Sequence, residues 1–77
     1  MNQFSKRLKE TRISKHITQK TMAEFLNIYL NAYQMYEYNK REPNFDTLIK
    51  ICQYLNTTSD YLLGLSNNPN IEDNPND

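Results

Sequence analysis

The sequence predicts an all-α chain of five short helices, and three observations predict it. Apolar residues between Phe4 and Leu65 recur at spacings of three and four, with little of the strict alternation a half-buried strand would show. Thr18, Asn44 and Thr58, whose side-chain oxygens can accept a bond from a free helical N–H, stand just before three of the apolar runs. His16, Asn27, Asn39 and Gly64, which tolerate a left-handed backbone better than most residues, stand just after four of them.

Helix 1 is expected from Asn2 or Gln3 to Lys15, with Phe4, Leu8 and Thr11 on its inner face and Lys6 and Lys9 outside; His16 ends it. Thr18 caps a short helix 2 over 19–26, where Met22, Ala23 and Leu26 point inward. Asn27 makes a tight turn into helix 3 over 30–38, with Tyr33 and Tyr36 inward. Asn39 stops that helix before Lys40-Arg41-Glu42-Pro43, where the proline disfavours helix at its predecessor. Asn44 caps helix 4 over 45–55, whose Phe45, Leu48, Ile51, Cys52 and Leu55 follow helical spacing, and Asp46 suits the positive N-terminal end of its dipole. Thr58 caps helix 5 over 59–63, ended by Gly64. The remaining stretch, 66–77, is polar, acidic and proline-containing, and is expected to be a disordered tail.

At 77 residues the chain has room for one domain and one small core. Its single cysteine, Cys52, cannot form an internal disulfide and reads as a small core residue; no CxxC or His/Cys cluster offers a metal site, and no cofactor motif is present. Stability must then come from packed helices or a dimer interface. The first ten residues lack the apolar stretch of a secretory signal, and no run approaches the roughly 20 residues of a membrane span, so a cytoplasmic protein without membrane contact is expected.

The net charge of zero hides an asymmetry. Residues 1–41 hold eight Lys and Arg against Glu10, Glu24 and Glu37, a net +5, while the rest holds Lys50 against six acids, a net −5. A basic half can face phosphate while an acidic half faces away. With one histidine, no glycine-rich phosphate loop and no paired acids in a plausible cleft, the sequence does not read as an enzyme.

Two short helices joined by a tight turn are the geometry that lets one helix enter the major groove while the other crosses the backbone. Here the residues also carry a resemblance: Thr18-Gln19, Ala23, Leu26, Tyr36-Glu37, Lys40-Arg41-Glu42-Pro43, Thr47-Leu48 and Asp60-Tyr61-Leu62-Leu63-Gly64. In this order and spacing they resemble the Cro/C1-type (Xre) helix-turn-helix domain over residues 4–65, with the motif at 18–37. The resemblance implies a compact, lambda-repressor-like five-helix domain that binds double-stranded DNA as a symmetric dimer, with helix 3 as recognition helix and half-sites about one helical turn apart. It departs from the family where Asn27 and Asn39 replace the usual glycines.

Carried over residue by residue, the resemblance implies that Gln19, at the start of helix 2, holds a phosphate, and that Lys40 and Arg41 touch the backbone. Thr18, Tyr29 and Tyr38 join the expected phosphate contacts. Arg12 and Glu37 are implied to form a structural salt bridge between helices 1 and 3. The expected reading face is Leu30, Asn31, Ala32, Gln34 and Met35: Asn31 and Gln34 for the bidentate adenine contact, the apolar side chains for thymine methyls. With no arginine on helix 3 to read guanine, an A·T-rich operator is expected. Tyr61, Leu62 and Leu65 offer an apolar surface that either pairs across the two-fold axis the resemblance implies or closes the core.

The resulting expectation is a small phage- or mobile-element-type repressor on an inverted repeat. The alternative is a protein-binding module on the same fold, antitoxin-like or anti-repressor, because exposed Tyr29, Leu30 and Met35 suit a protein groove as readily as a thymine-rich one.

Overall fold

The computed structural model describes residues 2–71. Five helices follow in order: α1 (Phe4–Ser14), α2 (Gln19–Leu26), α3 (Leu30–Glu37), α4 (Phe45–Leu55) and α5 (Ser59–Leu63), with no strand among the described residues. α1 starts at Phe4, whose N–H donates to Asn2 Oδ1 at 2.9 Å, and ends one residue before Lys15. α3 likewise closes one residue early, leaving Tyr38 outside the last turn as its C-cap.

Each cap has a local cause. The oxygens of Thr18, Asn44 and Thr58 accept from the N–H groups of Thr21, Thr47 and Tyr61 at 3.0, 2.8 and 3.0 Å, so each satisfies one of the donors a helix start leaves unpaired. His16, Asn27 and Asn39 take positive φ, at 59°, 56° and 63°. Asn56, after α4, does the same at 53°, a stop not among the sequence expectations. Gly64 closes α5 at φ 85°, and it does so against the start of the chain: a Cβ there would lie 3.3 Å from Gln3 Cγ.

The core is built from one face of each helix: Phe4 and Leu8 of α1, Met22, Ala23 and Leu26 of α2, Tyr33 and Tyr36 of α3, Ile51 and Leu55 of α4, and Leu62 of α5. α2 packs on α3, α1 packs on both α3 and α5, and α4 bridges α2 and α5. Tyr36 meets Tyr33 edge-on, with ring centroids 6.1 Å apart, a favoured aromatic geometry.

Four sequence expectations need correction here. Phe45 does not join the core; it is 83% exposed at the first turn of α4, too early in the helix to reach under α5. Leu62 is not available to a partner, because the same apolar spacing that marked it as a surface candidate buries it completely under α1 and α4. The stretch after Leu65 is not free over its first residues. Arg7 Nη1 donates to the carbonyls of Tyr61 and Ser66 at 2.7 and 2.6 Å, and its Nη2 donates to Asn67 Oδ1 at 2.9 Å. The guanidinium also lies 4.3 Å from the Tyr61 ring centroid. Farther along, Thr57 Oγ1 donates to the Pro69 carbonyl at 3.0 Å. The expected disorder of 72–77 lies outside the described residues. Cys52 is half-buried rather than sealed in the core, and burial raises the pKa of its thiol, which keeps it protonated at neutral pH.

Candidate nucleic-acid interface

The α2–turn–α3 unit is locked from inside by one carboxylate. Glu37, at the last turn of α3, accepts from Arg12 Nε at 2.6 Å and Nη2 at 3.1 Å, from the Tyr33 hydroxyl at 2.5 Å and from Gln19 Nε2 at 3.1 Å. Arg12 uses its remaining terminal nitrogen on the Ile17 carbonyl at 2.8 Å. One buried group therefore ties α1, the loop before α2, the start of α2 and the end of α3 into a single frame. Burial by itself would raise the Glu37 pKa, but the hydrogen bonds from Arg12, Tyr33 and Gln19 together outweigh it and hold the carboxyl below its ordinary value. Burial is also the first cause of the raised Tyr33 pKa, followed by its bond to Glu37, so the phenol stays a donor.

The network continues outward with a fixed polarity. An ionised carboxylate only accepts, so Gln19 must turn its Nε2 toward Glu37 and its Oε1 away. That Oε1 accepts from Gln34 Nε2 at 3.1 Å, so the sense of the Gln34 amide is set in turn. The sequence marks Gln19, Gln34 and Glu37 one by one but does not show that they join. The relay's only local signal is the three-residue step from Gln34 to Glu37, which places both on one side of α3.

The relay sorts the expected contacts. Gln34 is half-buried and engaged with Gln19, so the two-bond adenine contact expected of it competes with an internal bond. Gln19 has both ends of its amide engaged inside the protein, which leaves its backbone N–H, at the start of α2, as the group free of that relay. Thr18 is exposed and commits its oxygen to capping Thr21 N–H. Leu30, Asn31 and Met35 lie exposed on the outer face of α3, with Ala32 half-buried beside them. Tyr29, 84% exposed, and Tyr38 flank the helix at its two ends.

Beyond α3 the chain turns sharply. The N–H groups of Lys40 and Arg41 both donate to the Met35 carbonyl, at 2.9 and 3.2 Å, which the left-handed Asn39 makes possible. Their exposed side chains are thereby held next to the C-terminal end of α3. Ser5 anchors the same corner, its hydroxyl donating to the Tyr36 carbonyl at 2.6 Å. Of the basic residues in the first half, Arg7 and Arg12 are consumed internally. Of the dimer candidates, Leu65 is exposed, Tyr61 is half-covered by Arg7 and Leu62 is buried. Among the described residues no group of His, Cys, Asp and Glu could hold a metal ion.

A family model described as helix-turn-helix matches residues 8–62, which contain the whole Arg12-to-Glu37 frame. The chain is a helix-turn-helix protein of the Cro/C1 (Xre) type. It is 49% identical over 61 residues to the HTH-type transcriptional regulator ImmR of Bacillus subtilis (strain 168), covering 79% of this chain and 48% of that one. It is 45% identical over 71 residues to the same organism's uncharacterized HTH-type transcriptional regulator YqaE, covering 91% of this chain and 61% of that one. A third relative, the SPbeta prophage-derived regulator YonR, is 43% identical over 60 residues, or 78% of this chain and 56% of that one. The chain thus spans about half to three-fifths of the length of these curated relatives. A transcriptional regulator from Listeria innocua superposes with a TM-score of 0.77 at 22% identity, over all of this chain and 67% of that one, which establishes the shared fold. No described helix is long and apolar enough to cross a membrane.

Proposed function

We propose that this helix-turn-helix protein binds double-stranded DNA through α3 and regulates transcription, as a small repressor of phage or mobile-element type on an inverted-repeat operator. The observation that carries the reading is the Glu37-centred frame. It fixes α2 and α3 as one rigid unit while leaving Leu30, Asn31 and Met35 outward on a helix narrow enough for the roughly 12 Å major groove. Lys40 and Arg41, the N-terminal end of α2 and the exposed Tyr29 and Tyr38 surround that face with groups suited to phosphate. Asn31 is the best-placed adenine reader, and Leu30, Ala32 and Met35 suit thymine methyls, so an A·T-rich half-site follows. The prophage origin printed for one relative supports the mobile-element assignment. The names of the relatives describe regulators, not enzymes.

Selection from a random duplex library, with affinity followed against salt, tests this. Phosphate-dominated binding gives a log affinity that falls linearly with log salt concentration. A half-site centred on a G·C contact would overturn the A·T reading, and absence of duplex binding at low salt would overturn DNA as the partner.

A second reading rests on the apolar character of the same face. Tyr29 at 84%, Leu30 at 43% and Met35 at 39% exposure form a surface that a protein groove could cover. Binding there would be nearly indifferent to salt, so the titration separates the two.

A further inference from the structure

We infer that this protein distinguishes methylated from unmethylated operators: a methyl group on N6 of the adenine that Asn31 reads weakens binding by breaking that contact. The inference rests on the proposed reading of DNA through α3 and adds to it a chemical signal that controls the site.

The outer face of α3 has a narrow polar inventory. Leu30, Asn31 and Met35 are its exposed residues, and the helix carries no lysine, arginine or histidine. Gln34 is half-buried and gives an amide hydrogen to Gln19 Oε1 at 3.1 Å. Asn31 stands in the first turn, the part of a recognition helix that meets base edges. Its side-chain amide makes no hydrogen bond among the described residues, so both its donor and its acceptor are open to a base.

That pair of groups matches one edge. Asparagine donates to adenine N7 and accepts from the N6 amino group, two bonds at once. N6 methylation leaves adenine a single N6 hydrogen, and in a duplex the partner thymine takes it. The methyl group is then turned to the major-groove side, where Asn31 Oδ1 would have accepted. One substitution thus removes the donor and fills the space that the amide needs.

The surroundings of Asn31 make the loss hard to repair. Met35 lies one turn on, over the same side of α3, and Leu30 and Ala32 adjoin in sequence. These apolar side chains shed water as the helix enters the groove, so an amide left without its adenine has little solvent to replace it. No cation on α3 offers a second hold on the bases. The groups proposed for phosphate, Lys40, Arg41 and the start of α2, meet the same charge on either duplex, so methylation acts through the base contact alone. Occupancy then follows the action of an adenine-N6 methyltransferase on the operator, a control carried by the DNA itself.

Synthetic duplexes of the selected operator, each with N6-methyladenine at one adenine, test this against wild type and Asn31→Ala. Wild type is expected to lose about tenfold or more at one adenine of each half-site, the discrimination a two-bond base contact provides, and little at the others. Asn31→Ala should melt like wild type, the position being exposed, and bind the unmethylated operator about tenfold more weakly. It should lose nothing further when that adenine is methylated. 7-Deazaadenine at the same position, which lacks the N7 acceptor and keeps both N6 hydrogens, should weaken wild type and leave the variant unaffected. Wild type that tolerates the methyl group at every adenine, or a variant as sensitive as wild type to either modification, would overturn the inference with the DNA reading intact. Failure of wild type to bind any duplex would overturn the DNA reading, and the inference with it.

Discussion

Arg12 of α1 and Glu37 of α3 meet through two parallel hydrogen bonds, Nε to Oε2 at 2.6 Å and Nη2 to Oε1 at 3.1 Å, in a pocket that leaves the Glu37 side chain with no exposed area. This fork is the point where the first helix is fastened to the helix-turn-helix. The fork geometry suits arginine's planar guanidinium, which a lysine cannot reproduce. Removing one partner of such a pair strands the other, and Arg12→Ala is expected to cost about 3 kcal/mol of stability. DNA affinity should fall only in proportion to the unfolded fraction. Chemical denaturation checks the first figure, and operator binding measured well below the melting temperature checks the second. A variant that binds weakly yet melts like wild type would show that Arg12 contacts DNA.

Acid should loosen the same frame. Glu37 titrates below its ordinary value in the folded chain, so its contribution to stability is complete above about pH 4.5 and drains away as pH falls through its folded value. The denaturation midpoint followed from pH 7 to pH 2 should drop on that limb, and Glu37→Gln should start lower and show a shallower drop. At the other end Tyr33 is raised, so its contribution is complete below about pH 10 and is lost as pH rises through the folded value.

Gln19→Ala removes the middle of the relay and leaves the Gln34 amide free to turn. Stability should fall by about 1 kcal/mol, the ordinary net value of a hydrogen bond. If Gln34 touches a base at all, the variant should bind less selectively at that base pair while its neighbours are read as before. Library selection with wild type and variant side by side reports this directly; unchanged selectivity at every position would mean Gln34 serves the frame alone.

Arg7→Ala should release the stretch that follows α5. The wild-type guanidinium holds Tyr61, Ser66 and Asn67, so hydrogen exchange at residues 65–68 should accelerate, and protease nicking there with it. Slow exchange retained in the variant would show that Thr57 and its bond to Pro69 suffice.

Asn27 turns between α2 and α3 at φ 56°. Asn27→Ala is expected to lose about 1 kcal/mol, because a Cβ without a polar side chain is disfavoured there, while Asn27→Gly should be close to neutral. Thermal denaturation of the two variants ranks them.

Most of the fold was legible in the chain because its causes are local. Thr18, Asn44 and Thr58 act on N–H groups three residues away, and Asn27, Asn39 and Gly64 act on their own backbone. The periodic stripes gave the inward faces of α1, α2 and α3. The Arg12–Glu37 pairing came by resemblance, since nothing in a separation of 25 residues demands it.

What tertiary structure decided is which members of a stripe are covered. Phe45 and Leu62 both satisfy helical spacing, yet one stands in solvent and the other is sealed, because periodicity defines a face and only the packing of α1 and α4 on α5 says how far cover extends along it. The same holds for polar partners. Arg7 is one of the cations of the basic half in the sequence, but the return of the chain past Tyr61 brings three oxygens to it, over separations of 54, 59 and 60 residues. Gln34, expected to read a base, also donates to Gln19 once α2 is laid against α3. Local chemistry fixed where the helices begin and end; the energies that assign Phe45, Leu62, Arg7 and Gln34 their roles arise from neighbours distant in sequence, which exist only once the helices have docked.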